Sequence, residues 1–254
     1  MVAKLSVCIE MVFSELPFGE RIHATKRAGL PAFEFWGWSN KDQEAMLRAK
    51  QDTGLALACM SAEFQQPLTD PARREGFVTG VRASIAAAHR LGTKTLIVCT
   101  GNELPDVPRA AQHDAVVAAL RAAAPIAESE GVTLVLEPLN ILVDHKGYYL
   151  ATSAEGFQMV EEVGSPAVKL LFDIYHQQIT EGNLIANITK GLPQIGHFHS
   201  ADVPGRYEYG VGEINYRNLI ARIDELGYQG YVGLEYRPST SSEESLRRVL
   251  AALA

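Results

Sequence analysis

Short runs of β-branched and aliphatic residues alternate along the chain with longer amphipathic segments, most of which stop at a glycine. The apolar runs predict strands over residues 5–11, 32–37, 55–62, 93–100, 132–140, 168–175, 195–200 and 231–236. Between and after them, helices are predicted over 18–28, 41–53, 71–91, 108–130, 154–163, 184–190, 216–226 and 241–253. Gly29, Gly54, Gly92, Gly131 and Gly164 follow five of these helices, and Ser153 is the expected N-cap of the fifth. Eight βα units without a linker or a shift in composition predict one α/β domain over residues 1–254, a single (β/α)8 TIM barrel. The alternative, a doubly wound open sheet, calls for a Gly-rich phosphate loop after the first strand. The turn after Met11 offers only Gly19.

In a barrel, the C-terminal ends of all strands meet on one rim, so residues far apart in sequence share one site. Four predicted strands end in groups that bear chemistry: Glu137 in VTLVLEPLN, Asp173 in VKLLFDIYH, His199 in IGHFHSAD and Glu235 in GYVGLEYRP. A charge at the end of a strand buried on both faces needs a partner. Taken singly, each acid reads as a cap or an ion-pair member and His199 as a core histidine; four at matching positions read as a site. Three carboxylates and an imidazole suit a hard divalent ion with open positions, Mn2+ or Mg2+, better than zinc, which favours Cys and His. Such an ion would offset the mutual repulsion of the carboxylates and stabilise an enediolate from a hydroxy-carbonyl substrate. Glu137 and Glu235, on different sides of the barrel, are placed to act as its proton-transfer groups.

Other residues carry weaker signals. The segment 202–216, DVPGRYEYGVGEINY, reads as the longest rim connection, and Arg206 within it as a counter-charge for a substrate carboxylate or polarised carbonyl. Its glycines are too widely spaced to cradle a nucleotide phosphate. Trp36 and Trp38 could wall a small pocket or pack under a helix, and Glu10 and Glu34 could form a polar layer inside the barrel.

Composition narrows the partners. A net charge of -7 argues against nucleic acid or anionic membrane as a partner and leaves a small molecule as the expected one. No apolar stretch predicts a membrane span or a cleaved leader. Cys8, Cys59 and Cys99 lie in apolar runs without metal or redox spacing, and read as core thiols in a reducing cytoplasm. Barrels of this size often associate as homo-oligomers through rim loops or outer helices.

The segments FSELPFGERI, KRAGLPAFEF, LVLEPLN, FDIYHQQITEGNL, VPGRYEYGVGEINY and GYQGYVGLEYRP together resemble the hydroxypyruvate isomerase family, within the xylose isomerase-like barrels that include the ketose 3-epimerases. The resemblance runs nearly end to end. It implies a divalent metal held by Glu137, Asp173, His199 and Glu235, with Glu137 and Glu235 as the acid/base pair. It also implies substrate contacts from His176 and Arg206. The implied reaction interconverts a 2-keto and an aldehyde form through a cis-enediolate, as between hydroxypyruvate and tartronate semialdehyde.

The chain also departs from that family. Tyr207, Glu208 and Tyr209 stand where His-Glu-Pro usually follows the arginine, and SAEFQQPLTDP replaces a segment with Gly-Asp-Trp. His199 is the ligand more typical of the 3-epimerases, which makes such an epimerase the alternative. Against it, Val143 stands where similar epimerases place a substrate-contacting glutamate. An apurinic-site endonuclease would need a histidine cluster and a basic groove. A non-catalytic sugar-binding barrel would not need both Glu137 and Glu235.

Overall fold

The computed structural model describes residues 4–254. Eight strands, β1 (Lys4–Cys8), β2 (Ala32–Phe35), β3 (Ala56–Ser61), β4 (Thr95–Cys99), β5 (Thr133–Glu137), β6 (Val168–Asp173), β7 (Ile195–Ser200) and β8 (Tyr231–Leu234), pair in parallel and in chain order. The pairing of β1 with β8, Ser6 opposite Gly233, closes the barrel. The helices are α1 (Phe18–Arg27), α2 (Gln43–Thr53), α3 (Arg74–Leu91), α4 (Arg109–Glu130), α5 (Ser153–Val163), α6 (Ile174–Thr180), α7 (Leu184–Gly191), α8 (Tyr216–Glu225) and α9 (Ser242–Leu253). Among the described residues no helix is long and apolar enough to cross a membrane.

The expected barrel is therefore present, with differences that have local causes. The seventh predicted strand matches β7 end to end, and the other seven overrun their observed C-terminal ends by one to a few residues, where the chain runs on into the rim after pairing stops. The fifth helix is capped by Thr152, whose side chain accepts from the Glu155 N–H, and not by Ser153. Ser153 is already helical, and its hydroxyl donates to Glu181 at 2.5 Å. Residues 71–91 begin as a 3-10 turn (Pro71–Arg73) capped by Asp70 before α3 starts. The largest difference follows Asp173: the sixth strand stops there and α6 begins at once, because Asp173 Oδ1 accepts from the backbone N–H of Tyr175 (2.8 Å) and His176 (3.3 Å). The connection 201–215 after β7 is no longer than 138–152 after β5.

Alternation along the strands sorts the interior. Leu134 and Leu136 of β5 join the large core between barrel and helices, while Val135 joins Cys59, Ile97 and Leu171 in a smaller cluster inside the barrel. Two residues beyond Val135 and Leu171 come Glu137 and Asp173, and two beyond His197 and Gly233 come His199 and Glu235. The same period that fills the barrel with apolar side chains on one side lifts these four groups to the rim.

Candidate active site

Glu137, Asp173, His199 and Glu235 are all buried, and each offers a donor atom within 4.8 Å of the others. His199 Nδ1 lies 3.4 Å from Glu137 Oε1 and 3.5 Å from Glu235 Oε2. Neither ring nitrogen of His199 has a hydrogen-bond partner among the described residues. A buried nitrogen facing two carboxylates without a bond to either fits a site shaped to converge on a cation.

Burial and charge divide the four groups. Burial pushes Glu137 up, with His199 opposing it, and pushes Asp173 up to about 6 despite Arg206 nearby. Burial acts the same way on Glu235, but His199 and Arg206 outweigh it and hold this carboxylate below its usual range. Burial alone would lower His199; Glu235 and Glu34 reverse that and hold it well above the ordinary histidine value.

Arg206 lies over the acids. Its guanidinium donates to Glu235 Oε2, comes 4.0 Å from Asp173 Oδ2, and sits 5.2 Å above the Tyr175 ring. The residue is held at φ 59°, a left-handed conformation unusual for arginine, and its carbonyl accepts from Arg237 N–H at 2.7 Å. The rest of its loop is firmly tied. The buried Asp202 carboxylate accepts from the backbone N–H of Val203, Gly210, Gly212 and Ile214 at 2.8–3.1 Å. Gly212 permits this, since a Cβ there would come 2.1 Å from the Val203 carbonyl oxygen.

Trp36 and Trp38 part company. Trp36, 42% exposed, donates its indole N–H to Glu235 Oε1 at 2.8 Å and so walls the site. Trp38 turns away and donates to Ser84 of α3 at 3.1 Å. Glu10 leaves the barrel interior and pairs with Lys41 at 2.8 Å. Glu34 stays inside. Its Oε2 accepts from Ser6 Oγ (2.7 Å) and lies 3.1 Å from His197 Nε2, while its Oε1 is 3.0 Å from His199 Nε2 but poorly aligned for a hydrogen bond. Gly233 leaves the room: a Cβ there would meet Glu34 Oε1 at 2.2 Å. Burial opposes the Glu34 charge, yet the two histidines hold its carboxyl far below the usual range. Cys8 and Cys59 are buried and Cys99 nearly so, and burial pushes all three thiols up, as core thiols require.

His176 is fully buried with Nε2 at 3.5 Å from Asp173 Oδ2, so it too reaches the site. Burial pushes it well below the ordinary histidine value, and Arg206 adds to this. Its Nδ1 is held by Asn140, which sequence reasoning passed over. The signal was present as the last residue of VTLVLEPLN, but the pairing spans β5 and α6 and becomes visible only when the two are side by side.

A family model described as a xylose isomerase-like TIM barrel matches residues 22–254. The chain is 32% identical to the hydroxypyruvate isomerase of Escherichia coli (strain K12), over 96% of this chain and 97% of that protein. It is 33% identical to the 2-oxo-tetronate isomerase of Cupriavidus necator, over 94% of each. The crystal structure of an AP endonuclease, family 2, from Brucella melitensis has a TM-score of 0.93 with this fold at 27% identity, covering 99% of both chains. The family model places the chain in the xylose isomerase-like TIM barrel family, and the two isomerase relatives, matched over nearly their whole length, make it an isomerase resembling hydroxypyruvate isomerase.

Proposed function

We propose that this protein is a divalent-metal-dependent isomerase that interconverts the 2-keto and aldehyde forms of a small hydroxy-carbonyl compound through a cis-enediolate. Hydroxypyruvate with tartronate semialdehyde, or a related short oxo-acid such as a 2-oxo-tetronate, is the expected substrate class, in line with what the relatives are named for. The observation that carries this reading is the convergence of Glu137, Asp173, His199 and Glu235, with donor atoms within 4.8 Å of one another. These four would hold Mn2+ or Mg2+, because the set is rich in oxygen. When bound, the ion would polarise adjacent substrate oxygens and stabilise negative charge developing on them.

The chain's own residues supply the proton chemistry. Either Glu137 or Glu235 removes the proton from the hydroxyl-bearing carbon; the C–H electron pair forms the enediolate double bond as the carbonyl π pair moves to oxygen. A proton is then returned to the neighbouring carbon while the hydroxyl proton passes to the former carbonyl oxygen, so that the carbonyl lies one position along. Arg206, aimed at the acids from a tied loop, is the group to receive a substrate carboxylate, since guanidinium matches carboxylate in a two-point contact. Trp36, bonded to Glu235, and Tyr175, beneath the Arg206 guanidinium, would flank a bound substrate.

A ketose 3-epimerase is the second reading, favoured by His199 in the ligand set. The two readings differ in whether the proton returns to a neighbouring carbon or to the same one. Nucleic acid is a poor fit for an acidic rim on a chain of net charge -7.

The test is a screen of hydroxypyruvate, short oxo-acids and ketoses in D2O with Mn2+, reading deuterium at the carbon next to the carbonyl. Exchange into hydroxypyruvate or another oxo-acid is expected. Label confined to C3 of a ketose would select the epimerase, and no exchange with any compound would remove the proton-transfer mechanism.

A further inference from the structure

We propose that Asn140 sets the tautomer of His176, keeping the ring hydrogen on Nε2 so that the imidazole donates a hydrogen bond into the active site. The argument begins with the amide. Asn140 is fully buried, just past the end of β5, and its Oδ1 accepts from the backbone N–H of Val143 (2.9 Å) and of Asp144 (3.2 Å). Backbone donors cannot be reversed, so the oxygen faces the loop and the NH2 faces away from it. There the NH2 meets Asp144 Oδ2 at 2.8 Å and His176 Nδ1 at 2.7 Å. The opposite amide orientation would set its N–H groups against two backbone N–H groups.

A second donor reaches the same ring nitrogen: the backbone N–H of Asn140, 3.3 Å from His176 Nδ1. With two donors aimed at it, Nδ1 must be the acceptor, and the ring hydrogen resides on Nε2. The ring cannot turn to escape this. Tyr175 and His145 pack edge-on against it at 5.1 and 5.2 Å between centroids, and the Tyr175 hydroxyl, bonded to Asp144 Oδ2 at 2.8 Å, ties that wall to the same loop.

The far side of the ring is different. His176 Nε2 is buried and has no hydrogen-bond partner among the described residues, although it lies 3.5 Å from Asp173 Oδ2 at the edge of the site. A buried N–H without an acceptor is costly, so its place in the fold is explained by an acceptor that arrives with a ligand. If the isomerase reading holds, that acceptor is a substrate carbonyl oxygen, on which charge grows as the neighbouring carbon loses its proton. A fixed N–H aimed there stabilises the charged state more than the neutral one. Asn140 is then a positioning residue: it touches no reacting atom and acts through His176.

The experiment uses Mg2+-loaded protein labelled with 15N in histidine, with the His176 signals assigned by loss in His176→Gln. Native protein is expected to show the Nε2–H tautomer. In Asn140→Asp, one carboxylate oxygen still serves the Val143 and Asp144 N–H groups while the other, set against Asp144 Oδ2 as well as Nδ1, favours a proton on Nδ1. Asn140→Ala removes the side-chain donor and guards against a fold failure in the charged variant; thermal unfolding and Mg2+ titration verify that fold and metal site persist. Asn140→Asp should lose about 100-fold or more in kcat, as when a donor to a developing oxyanion is removed, with KM changed only a few-fold. Nδ1–H in the native protein would overturn the inference, whatever the activity. So would a flipped tautomer in Asn140→Asp with kcat within about threefold of native. Failure of the isomerase reading shows itself separately, as native protein that exchanges deuterium with no substrate while the tautomer measurement still decides the role of Asn140.

Discussion

Glu34→Gln tests whether the polar layer below the rim governs the site above it. The native carboxylate is 1% exposed and faces Ser6 Oγ at 2.7 Å, His197 Nε2 at 3.1 Å and His199 Nε2 at 3.0 Å. Glutamine keeps the shape but offers one oxygen, and its NH2 must point at one of these groups. The cost is the loss of one hydrogen bond to a charged group, about 1.5–3 kcal/mol, plus about 1 kcal/mol for the mismatched neighbour. Taking roughly 3 kcal/mol, and ~2–4 °C per kcal/mol for a chain of this size, Tm should fall by roughly 6–12 °C. The larger consequence is at the metal. If Glu34 holds the Nε2 side of His199 so that Nδ1 faces Glu137 and Glu235, losing that hold should weaken Mn2+ binding by roughly 10- to 100-fold. Calorimetric titration with Mn2+ reads the affinity, and scanning calorimetry the stability. A folded variant that binds Mn2+ within about threefold of native would refute the link between the two layers.

Four further outcomes are expected. Glu137→Gln or Glu235→Gln should each lose roughly 100-fold or more in kcat; near-normal turnover by either would remove that residue from the mechanism. Arg206→Lys should raise KM by roughly 10-fold or more for oxo-acids, and far less for ketoses without a carboxylate, because a point charge replaces a two-point contact. Steady-state kinetics on both substrate classes checks this, and an equal effect on both would place Arg206 elsewhere. Asp202→Asn offers one acceptor and adds two N–H groups where four backbone N–H groups converge, so residues 202–214 should open by about 2–4 kcal/mol more readily, read as faster amide exchange there. Chelation should abolish turnover and lower Tm, and Mn2+ at ~1,000 times its Kd should restore about 4 kcal/mol of stability.

Much of the barrel was legible because its periodicity is local: each strand announces itself as an apolar run and most helices stop at a glycine. The four rim groups were legible because each closes an apolar run; for Glu137 and Asp173 a buried apolar side chain two residues earlier also marks the face, whereas His197 and Gly233 stand at that place before His199 and Glu235. What local pattern could not reveal is the pairing of elements distant in sequence. Glu34 and His197 lie 163 positions apart and form one layer only because β2 and β7 face each other across the closed barrel. Gly233 carries no local signal of its role, which is to leave open the space that the Glu34 carboxylate fills. Trp36 and Trp38, two positions apart and both beyond the end of β2 at Phe35, are free of strand alternation and point different ways, one to Glu235 and the other to Ser84 of α3.

Asp173 divides its labour between its two oxygens. Oδ1 caps α6, the helix that carries His176, while Oδ2 faces the site. A mutation that removes the side chain therefore cannot be read as a purely chemical lesion, because it also loosens the segment that delivers another group to the substrate. The same economy restrains drift: a chain of this lineage could abandon the chemistry and still be obliged to keep an aspartate, or an asparagine in its stead, to make the turn from β6 into α6. Asparagine is the informative replacement, since it leaves the cap and strips the charge, and so separates what the fold demands at this position from what the reaction demands.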